Sequence, residues 1–151
     1  MTVNGLIALV NLLFVGILAG EELTIRYGVR APLASLNRVP HIQFRQALIR
    51  RLRIFVPIIF MLTMLSGIAT ILINGFDGGF ALRVVGILAL AAFITVTLKG
   101  TVPINQAALN WNPDAPPQNW QALVSRWEQL DTVRCWLAIS AFVLFLAAIA
   151  L

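Results

Sequence analysis

The chain of 151 residues is 60% hydrophobic and 11% charged, with a mean hydropathy of +0.89, which ordinary water-soluble domains do not reach. Its formal net charge of +5 comes largely from arginines beside apolar runs, so headgroup contacts explain it and no nucleic-acid partner is expected. A lone cysteine, Cys135, excludes an intrachain disulfide, and a lone histidine, His41, excludes bis-histidine haem or a multi-histidine metal centre within one chain.

Four apolar runs, at 3–23, 52–74, 82–101 and 133–151, each approach the roughly 20 residues that cross a hydrocarbon core. Lipid cannot satisfy an exposed backbone and four spans cannot close a barrel, so each run must be helical. The chain therefore reads as a single all-α membrane domain, 1–151, a four-helix transmembrane bundle. The first run is a span rather than a signal peptide, because no Lys or Arg precedes Arg26. Along it, Asn4, Asn11, Leu18, Glu22 and Arg26 fall near one helical face, and Glu22 and Arg26 form an i,i+4 pair in the favoured order. Asn11 must face protein. Gly16 and Gly20 form a GxxxG that permits close helix approach and self-association, so a homo-oligomer is a candidate assembly.

Helix one is expected to run to about Tyr27. Pro32 and Pro40 then bracket an irregular segment, with Pro40 in the first turn of a helix that continues into span two. Counting at 100° per residue places Arg45 on the face of Thr63, Ser66, Thr70 and Asn74, with His41 nearby, while Arg50 and Arg51 point to headgroups. Gly75 to Gly79 is a tight turn. Pro103 is expected to interrupt the third helix, residues 112–117 to form a loop, and a last helix to begin near Gln118. In that helix Trp120, Trp127 and Arg134 recur every seven residues, with Val124 and Asp131 close to the same stripe. Trp111 and Trp120 read as interfacial anchors.

Arginines crowd loop one and its flanks, from Arg26 to Arg53, and Lys99, Arg126 and Arg134 flank loop three. The positive-inside rule puts both loops in the cytoplasm and both termini on the other side, in what is expected to be a bacterial inner membrane. Asp131, Glu22 and Glu21 are the carboxylates that could meet a buried arginine there. No metal centre is expected, since no Glu-x-x-His motif is present.

The run Thr101-Val-Pro-Ile-Asn105, followed by Trp120, Arg126-Trp127 and Val133-Arg134, resembles the signature of the anthrone oxygenase-like family of small four-helix membrane proteins, long catalogued as a domain of unknown function. Ala19-Gly-Glu-Glu22 and Phe44-Arg-Gln-Ala-Leu-Ile-Arg50 resemble one branch of it. Where many members carry Trp-Asn-His, this chain has Leu130-Asp131-Thr132 and so lacks that histidine. The resemblance implies oxidation of an anthrone by molecular oxygen without a cofactor. Such chemistry needs a base for an acidic C–H proton and a dry aromatic cavity for the resulting anion. Candidate bases are Glu22, Glu21, Asp131 and His41; Arg45 and Arg134 could stabilise the anion, Asn105 could orient an oxygen, and Trp127 could stack on a flat ring. The expected partners are membrane lipid and a small hydrophobic aromatic ligand. The contrasting expectation is a non-catalytic scaffold or lipid-binding protein, its helices locked by Asp131 with Arg134 and by Glu22 with Arg45. A proton-coupled small multidrug transporter wants a carboxylate in mid-span one, whereas Glu21 and Glu22 stand at its end.

Overall fold

The computed structural model describes residues 2–151. Four helices are long and apolar enough to cross a membrane: α1 (Val3–Ala34), α2 (Arg38–Asn74), α3 (Phe80–Leu109) and α4 (Trp120–Ile149). No strand occurs among the described residues, so the fold is an all-α, four-helix bundle.

The helices are longer than a bilayer requires. At 1.5 Å per residue the 37 residues of α2 extend about 55 Å, against about 30 Å of hydrocarbon. At one end α2 and α3 stop together at a tight turn. Gly75 closes α2 with φ of 62°, which disfavours a side chain, and its N–H reaches Ile71 O at 3.0 Å. A Cβ on Gly79 would stand 2.5 Å from Ala148 O, so only glycine lets this turn press on α4. The surplus length therefore projects from the other end, where it forms a helical cap around loops one and three.

Two helices reach further into this cap than the prolines suggest. Rather than ending near Tyr27, α1 continues to Ala34 through a π-helical stretch, Thr24–Val29, and the chain breaks only at residues 35–37. Pro103 does not interrupt α3. A second π-helical stretch, Thr97–Thr101, precedes it, and Pro103 falls in the first turn of the α-helical segment Val102–Leu109, where its missing N–H costs little. Threonine hydroxyls donate to carbonyls in the widened turns, Thr24 to Gly20 O at 2.8 Å and Thr101 to Thr97 O at 3.0 Å.

Within the bundle, Val15, Leu18, Phe60, Leu90, Phe93, Ala138, Ala141 and Phe145 make the core. Phe145 lies over Gly67 and Gly86, where an added Cβ would come within 3.0 Å of its ring. Asn11 faces protein, its Nδ2 donating to Ser66 Oγ at 3.1 Å and Thr63 O at 3.3 Å. Gly16 and Gly20 are not a paired helix contact: Gly16 packs on Phe142, whereas nothing lies within 4 Å of a Cβ on Gly20. A separate apolar cluster of Ile42, Ile49, Ala108, Trp111 and Val124 fills the cap.

Candidate functional site

Between the membrane bundle and its cap lies a cavity of about 320 Å³, within the range of about 300–1,000 Å³ typical of small-molecule pockets. Its walls come from all four helices. From α1 come Glu21, Glu22, Ile25 and Arg30; from α2, Arg45, Leu48, Leu52 and Val56; from α3, Thr97, Thr101, Val102 and Asn105; from α4, Trp127, Asp131 and Arg134. Both π-helical stretches border it, which fits the association of such bulges with functional sites.

Among the residues expected from sequence, Glu21, Glu22, Arg45, Asn105, Trp127, Asp131 and Arg134 all line this one cavity. His41 does not. It is buried in the cap with its ring 5.4 Å from that of Trp120, edge to face. Trp111 and Trp120 are not simple headgroup anchors either. Trp111 is buried and its ring meets Trp120 at 6.4 Å, while Gln46 Nε2 donates to Trp111 O at 2.9 Å and Ala108 O at 3.0 Å. These contacts fasten the third loop to α2.

The charges pair differently from the local spacing. Glu22 does not join Arg26; its Oε1 accepts from Arg134 Nη2, tying α1 to α4 in the buried interior. Arg26 donates instead to Thr132 Oγ1. Asp131, expected opposite Arg134, lies 3.7 Å from Arg30 Nη1, and Arg30 also holds Glu128 at 3.2 Å. Arg30 is the site residue the sequence did not single out. Continuing α1 past Tyr27 would have revealed it, one turn beyond Arg26. Arg45, expected near Glu22, instead lies over the indole of Trp127, with its guanidinium carbon 4.8 Å from the ring centroid. Cation–π attraction of this kind is worth about 2 kcal/mol when desolvated. Arg134 stands likewise over Phe93 at 4.8 Å.

Several buried polar atoms in these walls have no hydrogen-bond partner: Glu21 Oε2, Glu22 Oε2, Arg45 Nε, Asn105 Oδ1, Trp127 Nε1, Asp131 Oδ2 and Arg134 Nε. Buried polar groups are normally satisfied, so their concentration around one cavity marks a place where ligand or water completes the bonding. Glu21 is distinctive among the carboxylates. It forms no ion pair among the described residues, whereas Glu22 is committed to Arg134 and Asp131 lies beside Arg30. Glu21, Glu22 and Asp131 share the cavity, yet no group of three potential ligands suited to a metal ion occurs among the described residues.

A family model described as anthrone oxygenase matches residues 44–144, well over half of the chain. The chain belongs to the anthrone oxygenase family. The matched region carries Arg45, Asn105, Trp127, Asp131 and Arg134, and thus the α2, α3 and α4 walls of the cavity. The two glutamates of α1 lie before it. Comparisons with curated proteins and with solved structures gave no match.

Proposed function

We propose that the protein is a membrane-embedded, cofactor-independent oxygenase acting on a small, flat, hydrophobic aromatic with an acidic C–H bond, such as an anthrone. The observation that carries this reading is the Glu21 carboxylate, in no ion pair among the described residues, in a largely apolar cavity that also holds four guanidinium groups and an indole. In the proposed reaction Glu21 removes one proton from the methylene carbon, leaving a resonance-stabilised carbanion whose negative charge spreads to the ring oxygen. Arg45 and Arg134 stabilise that oxygen electrostatically, and Asn105 and Trp127 hold the ring plane. The carbanion gives its electron pair to molecular oxygen, forming a C–O bond. The peroxide then takes back the proton from Glu21. Loss of the remaining C–H proton with cleavage of the O–O bond gives the quinone carbonyl and one water. This assignment makes Glu21 the base and leaves Glu22 to position Arg134. Loops one and three, on this reading, face the cytoplasm of a bacterial inner membrane.

The experiment is oxygen consumption and quinone formation by purified protein in bilayers with an anthrone substrate. Turnover above the uncatalysed rate that disappears in Glu21→Gln supports the proposal. Equal rates with and without protein, across several anthrones, refute it.

A second reading rests on the buried Glu22–Arg134 pair: a non-catalytic membrane scaffold or ligand-binding protein whose polar cluster locks the helices. It predicts bound ligand without oxygen uptake.

A further inference from the structure

The walls of the cavity are not equally closed. Towards α1 and α4 no wall residue is exposed: Glu22, Ile25, Leu33, Trp127, Asp131 and Arg134 are buried, and Glu21, Val29 and Arg30 are half-buried. The exposed wall residues are Arg53 and Pro57 of α2 and Gln106 of α3, with Val56, Thr97 and Val102 half-buried between them. The opening therefore lies at the side of the bundle, between α2 and α3.

Its depth follows from the outward-facing side chains. On α2 an exposed apolar run begins at Ile54 and continues through Phe55, Ile58 and Met61. Arg53 is the last charge before it. On α3 exposed Lys99 stands beside exposed Leu98 at the comparable boundary. Side chains of this kind meet acyl chains, and the arginine and lysine mark the headgroup level. Pro57, one turn beyond Arg53, is thus at hydrocarbon depth, whereas Gln106 is on the watery side. Pro57 also has no N–H, so it cannot supply the intrahelical donor for the carbonyl of Arg53. The slot is apolar in its lower half and cationic at its upper rim, where Arg53 pairs with no carboxylate among the described residues.

We propose that the substrate enters sideways from the lipid leaflet at the arginine-rich end, passing between Pro57 and Val102. Arg53 meets its acidic hydroxyl or enolate oxygen at the threshold. The fitting molecule is a flat apolar phenol or enol, which lies in a leaflet with its polar edge at headgroup depth. This proposal deepens the oxygenase reading and rests on it for the identity of the occupant. The route itself is tested without turnover.

In proteoliposomes of a Cys135→Ala background, a single thiol is introduced by Val56→Cys, with Ser35→Cys in the exposed first loop as reference. Labelling by bilayer-soluble N-phenylmaleimide is compared with labelling by a sulfonated maleimide supplied from water. The ratio of the two rates should be higher by about tenfold or more at position 56, because hydrocarbon excludes the charged reagent. Adding Val102→Trp, or Gln106→Trp at the exposed rim, should slow N-phenylmaleimide labelling at position 56. Equal ratios at the two positions, an unreactive thiol at position 56, or labelling unaffected by both tryptophans would overturn the lateral route. Anthrone oxidation by the wild type, measured in parallel, keeps the failures apart. Oxidation without lateral labelling removes only the route, and lateral labelling without oxidation removes only the chemistry.

Discussion

Arg134→Gln removes one half of a buried ion pair while preserving much of the side-chain volume. The partners are shielded from solvent, with 8% and 1% of their side-chain surfaces accessible for Arg134 and Glu22, so little solvent screening softens the change. Glu22 would be left buried beside Glu21 without its cation, and removing one partner of such a pair typically costs about 3–5 kcal/mol. The stacking of Arg134 over Phe93 is lost as well, worth about 1–2 kcal/mol when desolvated. Glu22→Gln should cost less, because Arg134 would still have Glu21 and Asp131 around the same cavity. Equilibrium unfolding in mixed micelles measures both variants, and the single variants Glu22→Leu and Arg134→Met together with their double variant make a thermodynamic cycle. The double variant should recover most of the stability lost in Arg134→Gln, since well-packed apolar residues often replace a buried pair without loss. Arg134→Gln as stable as wild type, or a double variant as poor as the sum of the single ones, would refute the idea that this pair fastens α1 to α4.

Other outcomes follow from neighbouring contacts. Glu21→Gln, which breaks no ion pair, should leave the unfolding free energy nearly unchanged while lowering anthrone turnover by about 10²–10⁴-fold, measured as quinone formation. Trp127→Ala should cost about 3–5 kcal/mol and weaken binding of a hydroxyanthraquinone in a fluorescence titration, with Trp127→Phe retaining part of both. Gly79→Ala should destabilise by about 1–3 kcal/mol through its clash with Ala148 O, read by thermal unfolding, without changing substrate affinity.

The architecture was legible in the sequence because apolar run length and helical period act locally. Spans, the inward face of Asn11 and the stripe of Val124, Trp127, Asp131 and Arg134 all follow from counting at 100° per residue. The same count brought most of the candidate residues to one end of the bundle. It did not identify their partners. Glu22 lies one helical turn before Arg26 yet bonds Arg134 on another helix, because side-chain pairing is decided by how helices pack and not by spacing within one. Arg30 was missed for a related reason: the π-helical stretch at Thr24–Val29 carries α1 through a region whose proline suggested a break. Trp111 and Trp120 had the composition of interfacial anchors, and only the fold of the third loop onto Gln46 and His41 shows that they are cap core.

Oxidation of a flat aromatic by molecular oxygen, with Glu21 as the base, is the proposal that a single assay can decide. The most direct measurement is oxygen uptake with quinone formation by wild type and Glu21→Gln, in bilayers and at matched folded protein. The wild type should consume one oxygen per quinone, and Glu21→Gln should show only the background rate. Equal rates for the two proteins would remove Glu21 as the base, and a wild-type rate no higher than protein-free bilayers would remove the oxygenase reading.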